Sequence, residues 1–156
     1  MAEEYNKDSL WRLFRETRYC VLANQAGDGT TDVRTMAFSC NRDLRGFYML
    51  SPKTARKIDD LTRAPQATLH VYSIARDMDE FVQFVVKGAV NIHPDAKAPG
   101  TREGLLALAE KLGMLRQVQE KGMPEDCVLL ELVPKEIMVT RYLDILHNMP
   151  ATSISL

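Results

Sequence analysis

The sequence has no apolar run approaching the ~18 residues that suggest a membrane span, and it has no excess of either charge. Lys plus Arg number 20 and Asp plus Glu 21 among 156 residues, a formal net charge of -1. That balance leaves no basic footprint for nucleic acid. Cysteine is sparse: Cys20, Cys40 and Cys127 are odd in number and form no Cys-x-x-Cys pair, which predicts buried thiols in a reducing cytoplasm. The three histidines, His70, His93 and His147, lie far apart, so no metal-ligand spacing is present. Gly-x-Gly-x-x-Gly, Walker and Gly-x-Ser-x-Gly motifs are missing, as are internal repeats and low-complexity tracts. The first residues are acidic and polar without an apolar h-region, so no secretory leader is expected.

What is present is an ordinary globular mixture, 46% hydrophobic and 26% charged, long enough for one domain over residues 1–156. Leu10, Leu13 and Phe14 share a helical face over Lys7–Thr17, with Asn6 or Asp8 as cap. Strand periodicity follows from Tyr19, then over Thr31–Cys40, Gly46–Leu50, Gln66–Ile74 and Glu80–Ile92, with a hairpin loop at Ala75–Asp79. In the longest strand Val82, Phe84, Val86, Val90 and Ile92 share a face, and Gly88 marks a bulge or a close backbone approach. The leucines at 105, 108, 112 and 115 predict one long helix from Thr101 to Lys121. Two more strands are expected, Cys127–Val133 and Glu136–Leu143, divided by Pro134. Helices inserted between hairpins favour a mainly β fold, an antiparallel barrel with satellite helices.

The segment Ser51-Pro52-Lys53-Thr54-Ala55-Arg56-Lys57 carries the chemistry. It predicts a helix with Ser51 at N-cap and Pro52 at N1. A helix N-terminus has free N–H groups and partial positive charge, yet Lys53, Arg56 and Lys57 precede the acids Asp59 and Asp60. A bound phosphate would resolve that conflict, accepting from the N–H groups, Ser51 or Thr54, Arg56 and Lys57. The alternative is a solvated basic face. Arg34 joins the cradle only if barrel closure brings its strand to this helix. Gln83, facing opposite to Phe84, is either a reader of a heterocycle edge or an exposed polar position.

The order Val33-Arg34-Thr35-Met36-Ala37-Phe38, Phe47-Tyr48-Met49-Leu50-Ser51, Thr54-Ala55-Arg56-Lys57-Ile58, Ala64-Pro65-Gln66-Ala67 and Val86-Lys87-Gly88-Ala89-Val90 resembles the pyridoxamine 5'-phosphate oxidase-like FMN-binding split barrels, in particular the short general-stress-protein branch. The resemblance runs from about Trp11 to Leu143. It implies a six-stranded antiparallel split barrel, a homodimer and FMN at the subunit interface. By position it implies that Arg34, Arg56 and Lys57 hold the FMN phosphate with help from Ser51 and Thr54. Thr35, Met36 and Ala37 would line the ring through backbone groups, Met49 and Leu50 would flank the ring or the ribityl chain, and Gln83 would address the ring's polar edge. Ser39 stands where the vitamin-forming oxidases carry lysine, and Arg141 and His147 depart from their C-terminal spacing. Pyridoxamine phosphate oxidase activity itself is therefore not expected.

Three functional classes follow. One is an FMN-dependent oxidoreductase acting with a small-molecule substrate or electron donor, in which the flavin does the redox chemistry. Tyr48, Tyr72 and His70 are the available acids or bases, and none stands out. The second is a non-catalytic flavin carrier. The third is a split barrel using a deazaflavin, which would want more basic residues at its mouth, or haem, for which His70, His93 or His147 would be the axial candidates.

Overall fold

A computed structural model describes residues 5–72, 77 and 80–156. Helix α1 (Lys7–Glu16) starts at Asn6, whose side chain accepts from the Ser9 amide at 3.0 Å while the Ser9 hydroxyl accepts from the Asn6 amide at 2.9 Å. This reciprocal cap satisfies two otherwise free donors. The helix buries Leu10 and Phe14 completely. The Phe14 ring meets Phe38, Phe47 and Phe84 edge-on at centroid distances of 6.1, 5.5 and 5.3 Å, an arrangement that aromatic quadrupoles favour.

The strands are β1 (Tyr19–Gln25), β2 (Thr31–Ala37), β3 (Ser39–Cys40), β4 (Phe47–Pro52), β5 (Gln66–Tyr72), β6 (Val82–His93), β7 (Cys127–Arg141) and β8 (Thr152–Ile154). They form one antiparallel sheet in the order β2-β1-β5-β6-β7-β4-β3, with β8 added to β7. β2 and β3 lie at opposite ends of that order, yet only Phe38 separates them in the chain. The sheet therefore curls until its ends meet, giving a split barrel whose interior is filled by Leu22, Leu69, Phe84, Val86, Leu130 and their neighbours. Among the described residues eight strands stand where six or seven were expected: the two-residue β3 is cut from β2 at Phe38, β8 lies in a tail whose sequence has no clear period, and the two strands expected on either side of Pro134 are one.

Other boundaries differ for identifiable reasons. β7 runs straight through Pro134 as one strand, because Pro134 sits at the irregularity between Lys87 and Gly88 of β6, where the ladder does not ask for its missing N–H. The expected bulge at Gly88 is there. A Cβ on Gly88 would run into the Val133 carbonyl, so the expected close approach is there as well. The helix predicted over 101–121 is two helices, α3 (Pro99–Lys111) and α4 (Leu115–Lys121). Gly113 breaks it at φ +70, while its amide reaches the Glu110 carbonyl and the Met114 amide the Ala109 carbonyl, a Schellman ending. The strand expected to reach Leu143 stops at Arg141, and α5 (Tyr142–Leu146) follows. Most of the hairpin loop expected at Ala75–Asp79 lies outside the described residues.

α3 docks on β3 and β4 through main chain as much as side chain. The Tyr48 ring lies against Gly104, where any Cβ would collide with it, and the Ser39 hydroxyl donates to the Gly104 carbonyl at 2.7 Å. At the other end of α3 the Lys111 ammonium donates to the carbonyls of Phe14, Thr17 and Phe38 at 2.7, 2.8 and 2.8 Å and lies 4.5 Å from the centre of the Phe38 ring. All three of its donors meet acceptors, two of them at the negative end of α1. Burial pushes its pKa down to about 8, with the neighbouring Cys40 and Cys20 acting the other way. Burial also pushes the nearby thiols of Cys20 and Cys40 up to about 12, so both are packing groups at neutral pH, whereas Cys127 is only partly buried, contrary to expectation.

Lys111→Met would leave three carbonyls without their donor where α1, α3 and the β2–β3 link meet. The expected loss is about 2–3 kcal/mol in urea unfolding at pH 7. An unchanged midpoint would show that these carbonyls reach water.

Candidate functional site

β2 pairs with β1 only, and residues 49–52 of β4 pair with β7 only. The two strands approach each other without forming a ladder, so the seam between them is flanked by strand edges that do not pair with one another. The backbone of Thr35, Met36 and Ala37 lies along one side of this seam and that of Met49, Leu50 and Ser51 along the other. The side chains of the second group are turned elsewhere. Met49 is fully buried in the barrel core, Leu50 packs toward α3, and the buried Ser51 hydroxyl donates to the Pro52 carbonyl at 3.2 Å.

The segment after the seam folds differently from expectation. Ser51 and Pro52 are strand residues opposite Val128 and Cys127, and the Lys53 amide donates to the Asp126 carbonyl. A turn through Thr54 follows, and helix α2 (Arg56–Arg63) begins with Ala55 at N-cap. Ser51 is therefore not the cap, because β7 captures it in the ladder first. Ala55 provides no side-chain cap hydrogen bond. The first two helical residues are Arg56 and Lys57, so cations do sit at the positive helix end, but with this later start Asp59 falls within the first turn and offsets part of their charge.

Arg34 comes to that corner. Cross-strand pairing puts Asp32, Arg34 and Met36 opposite Asn24, Leu22 and Cys20, on the interior face of the sheet near α2. Asp32 Oδ2 accepts from Arg34 Nη2 at 3.3 Å and from Arg56 Nη2 at 3.1 Å. Arg56 Nε also lies 3.8 Å from Asp60 Oδ2, while Arg63 Nη2 donates to Asp60 Oδ1 at 3.3 Å. Lys57 is only 8% exposed, and burial together with the Arg34 charge lowers its pKa. Arg34, Arg56, Lys57 and Arg63 are set against Asp32 and Asp60, with Asp59 in the first turn of α2 and Asp28 close enough to Arg56 to feel its charge. The Ile58 amide donates back to the Ala55 carbonyl at 2.9 Å, so the free donors of the first α2 turn are the amides of Arg56 and Lys57.

Sequence reasoning missed Asp32, and it placed Asp60 after the cations rather than against Arg56 and Arg63. The signal for Asp32 was available, because an acid two residues before Arg34 in a strand shares its face. These carboxylates neutralise part of the charge that the sequence reading left to a ligand. Thr54 is exposed on its turn, within the corner's sequence but without a recorded partner among the described residues.

Gln83 lies apart from this corner. On the outer sheet face its Oε1 is 2.9 Å from His70 Nε2, and the His70 ring tilts over Tyr72 at 5.6 Å. His93 Nε2 is 3.4 Å from Glu131 Oε1, which also accepts from Asn91 Nδ2 at 3.2 Å, and His147 is exposed. Tyr48 is held as a neutral phenol: burial and the Glu131 carboxylate raise its pKa, and its hydroxyl donates to Asn41 Oδ1 at 3.0 Å. Among the described residues no three His, Cys, Asp or Glu side chains group to hold a metal, and no helix is long and apolar enough to cross a membrane.

Residues 7–140 match the model of the pyridoxamine 5'-phosphate oxidase family. No curated protein matches the chain in sequence. Among solved structures, a conserved hypothetical protein of Mycobacterium tuberculosis is similar at a TM-score of 0.73 and 13% identity, over 100% of this chain and 96% of that one. The haem storage protein HutZ of Vibrio cholerae is similar at 0.64 and 16% identity, over 88% and 95%. An F420 reductase is similar at 0.61 and 19% identity, over 87% and 98%. At these identities the likeness is one of fold.

The lowered pKa of Lys57 means that its charge opposes folding at neutral pH, and that the opposition fades as the lysine deprotonates below its ordinary 10.5. Lys57→Met in cofactor-free protein is expected to raise the urea midpoint at pH 7, with the gain shrinking toward pH 10. A lower midpoint at pH 7 would mean that the ammonium is stabilised by the barrel itself.

Proposed function

We propose, given that the chain belongs to the pyridoxamine 5'-phosphate oxidase family, that it is an FMN-binding flavoprotein acting as an FMN-dependent oxidoreductase on a small molecule. The observation that carries this reading is the convergence of Arg34, Arg56 and Lys57 at the mouth of the β2–β4 seam. These residues, with the first amides of α2, would hold the phosphate. The free edge of β2 at Thr35, Met36 and Ala37 would meet the polar edge of the ring, across from Met49 and Leu50. Bound there, the flavin supplies the electron transfer, and the chain binds, orients and shields it. With the Tyr48 phenol engaged by Asn41 and its pKa raised, it is a poor proton acceptor. Ser39, in the place of an oxidase lysine, is committed to the Gly104 carbonyl, which again argues against vitamin phosphate as substrate.

The working unit in this reading is a homodimer. Thr35, Val21, His70, Val85 and Met138 form one row across five strands of the outer sheet face, and Tyr19, Val33 and Tyr72 on that face are 56%, 63% and 46% exposed. A second copy laid on it would bury this apolar surface and bring Gln83 to the interface.

The haem reading has support from the likeness to HutZ, and the F420 reading from the likeness to the reductase. Against haem, His70 and His93 are each engaged with a neighbouring side chain. Against a long acidic tail, Asp32 and Asp60 reduce the positive charge at the mouth.

Purified protein is expected to show a flavin absorption spectrum, and Arg56→Ala with Lys57→Ala to remove the bound FMN while leaving the circular dichroism unchanged. Stoichiometric flavin in that double variant, or a Soret band in the parent, would displace this reading. In sedimentation the loaded protein should run as a dimer, and Val33→Lys should shift it toward monomer; a loaded monomer would contradict the interface.

A further inference from the structure

The corner contains its own anion. One oxygen, Asp32 Oδ2, accepts from both Arg34 and Arg56, at 3.3 and 3.1 Å. Those guanidiniums belong to the set assigned above to the FMN phosphate, so the inference rests on that assignment. We infer that Asp32 is a placeholder: it holds the two guanidiniums together in the empty protein and gives them up to a phosphate ester, so that the cofactor enters by exchange with a carboxylate of the chain.

Three features fit an exchangeable contact. Asp32 and Arg34 keep side-chain exposures of 31% and 25%, and Arg56 one of 69%, so water reaches the contact and the pairs are weak. Phosphate, with more acceptor oxygens and more charge, is the stronger partner for arginine. Arg56 also has a second carboxylate to lean on when Asp32 releases it. Asp60 Oδ2 is buried, lies 3.8 Å from Arg56 Nε, and has no hydrogen-bond donor among the described residues. A small turn of the guanidinium would satisfy that oxygen. Meanwhile a phosphate beside the α2 amides would repel Asp32 from its present position.

This makes Asp32 an affinity-setting residue rather than a ligand of the cofactor. Removing its charge should tighten binding of anything that carries the phosphate and leave the bare ring indifferent. A strut that positions the arginines would do the opposite.

The test is titration of cofactor-free Asp32→Asn and parent protein with FMN and with riboflavin by flavin fluorescence, and with inorganic phosphate by competition. FMN and phosphate are expected to bind Asp32→Asn about tenfold more tightly, the equivalent of about 1.4 kcal/mol, with riboflavin unchanged. Equal or weaker FMN binding by Asp32→Asn, in a protein whose Arg56→Ala, Lys57→Ala double variant has lost FMN, overturns the placeholder and leaves the site assignment standing. FMN binding unaffected by the double variant overturns the assignment itself. Asp32→Ser provides the same measurement should the asparagine variant fail to fold.

Discussion

The fold depends on one constraint: the two ends of the sheet are joined by a single residue. Phe38 links β2 at one edge to β3 at the other, so the strands have to curl into a barrel. Its ring fills the core beside Phe14 and Phe47, and its carbonyl receives the Lys111 ammonium. One end of the barrel is thus closed by covalent connection and tied to α1 and α3. The rest of the same joint stays open, because β4 is bound to β3 only through Tyr48 and Phe47. The unladdered seam between β2 and β4 is what remains when the closure stops partway along a strand.

Charge is arranged around the open end. Arg56 and Lys57 at the start of a helix, with Arg34 beside them, are an unfavourable grouping in isolation. The chain tempers it with Asp32 and Asp60, and with Asp59 in the first turn of the helix. Burial of Lys57 at 8% exposure adds a desolvation cost to this grouping in the folded protein.

Much of this was legible in the sequence because it follows from local rules. The cap at Asn6, the shared face of Val82, Phe84 and Val86, and the bulge at Gly88 come from spacing and residue type. The antiparallel barrel followed from the order of the elements. What was not legible depends on contacts distant in sequence. Whether Ser51 caps a helix or extends a strand is decided by Val128, which lies 77 positions away and offers a ladder. Lys111 gives no sign in sequence that it will find carbonyls at Phe14, Thr17 and Phe38. Pro134 looked like a strand breaker because the irregularity that accommodates it involves β6. Gly113 is a different case: a glycine inside a leucine stripe is an ending signal that the stripe masks.

The contact between Tyr48 and Gly104 fixes more than the distance between a helix and a sheet. An aromatic ring seated where one residue lacks a side chain works like a key in a slot. A shift of α3 by one residue, about 1.5 Å along its axis, would carry Glu103 or Leu105 over the ring and drive the helix outward. α3 is therefore indexed to the sheet in translation as well as in spacing, while its solvent-facing positions are free to vary without disturbing the alignment.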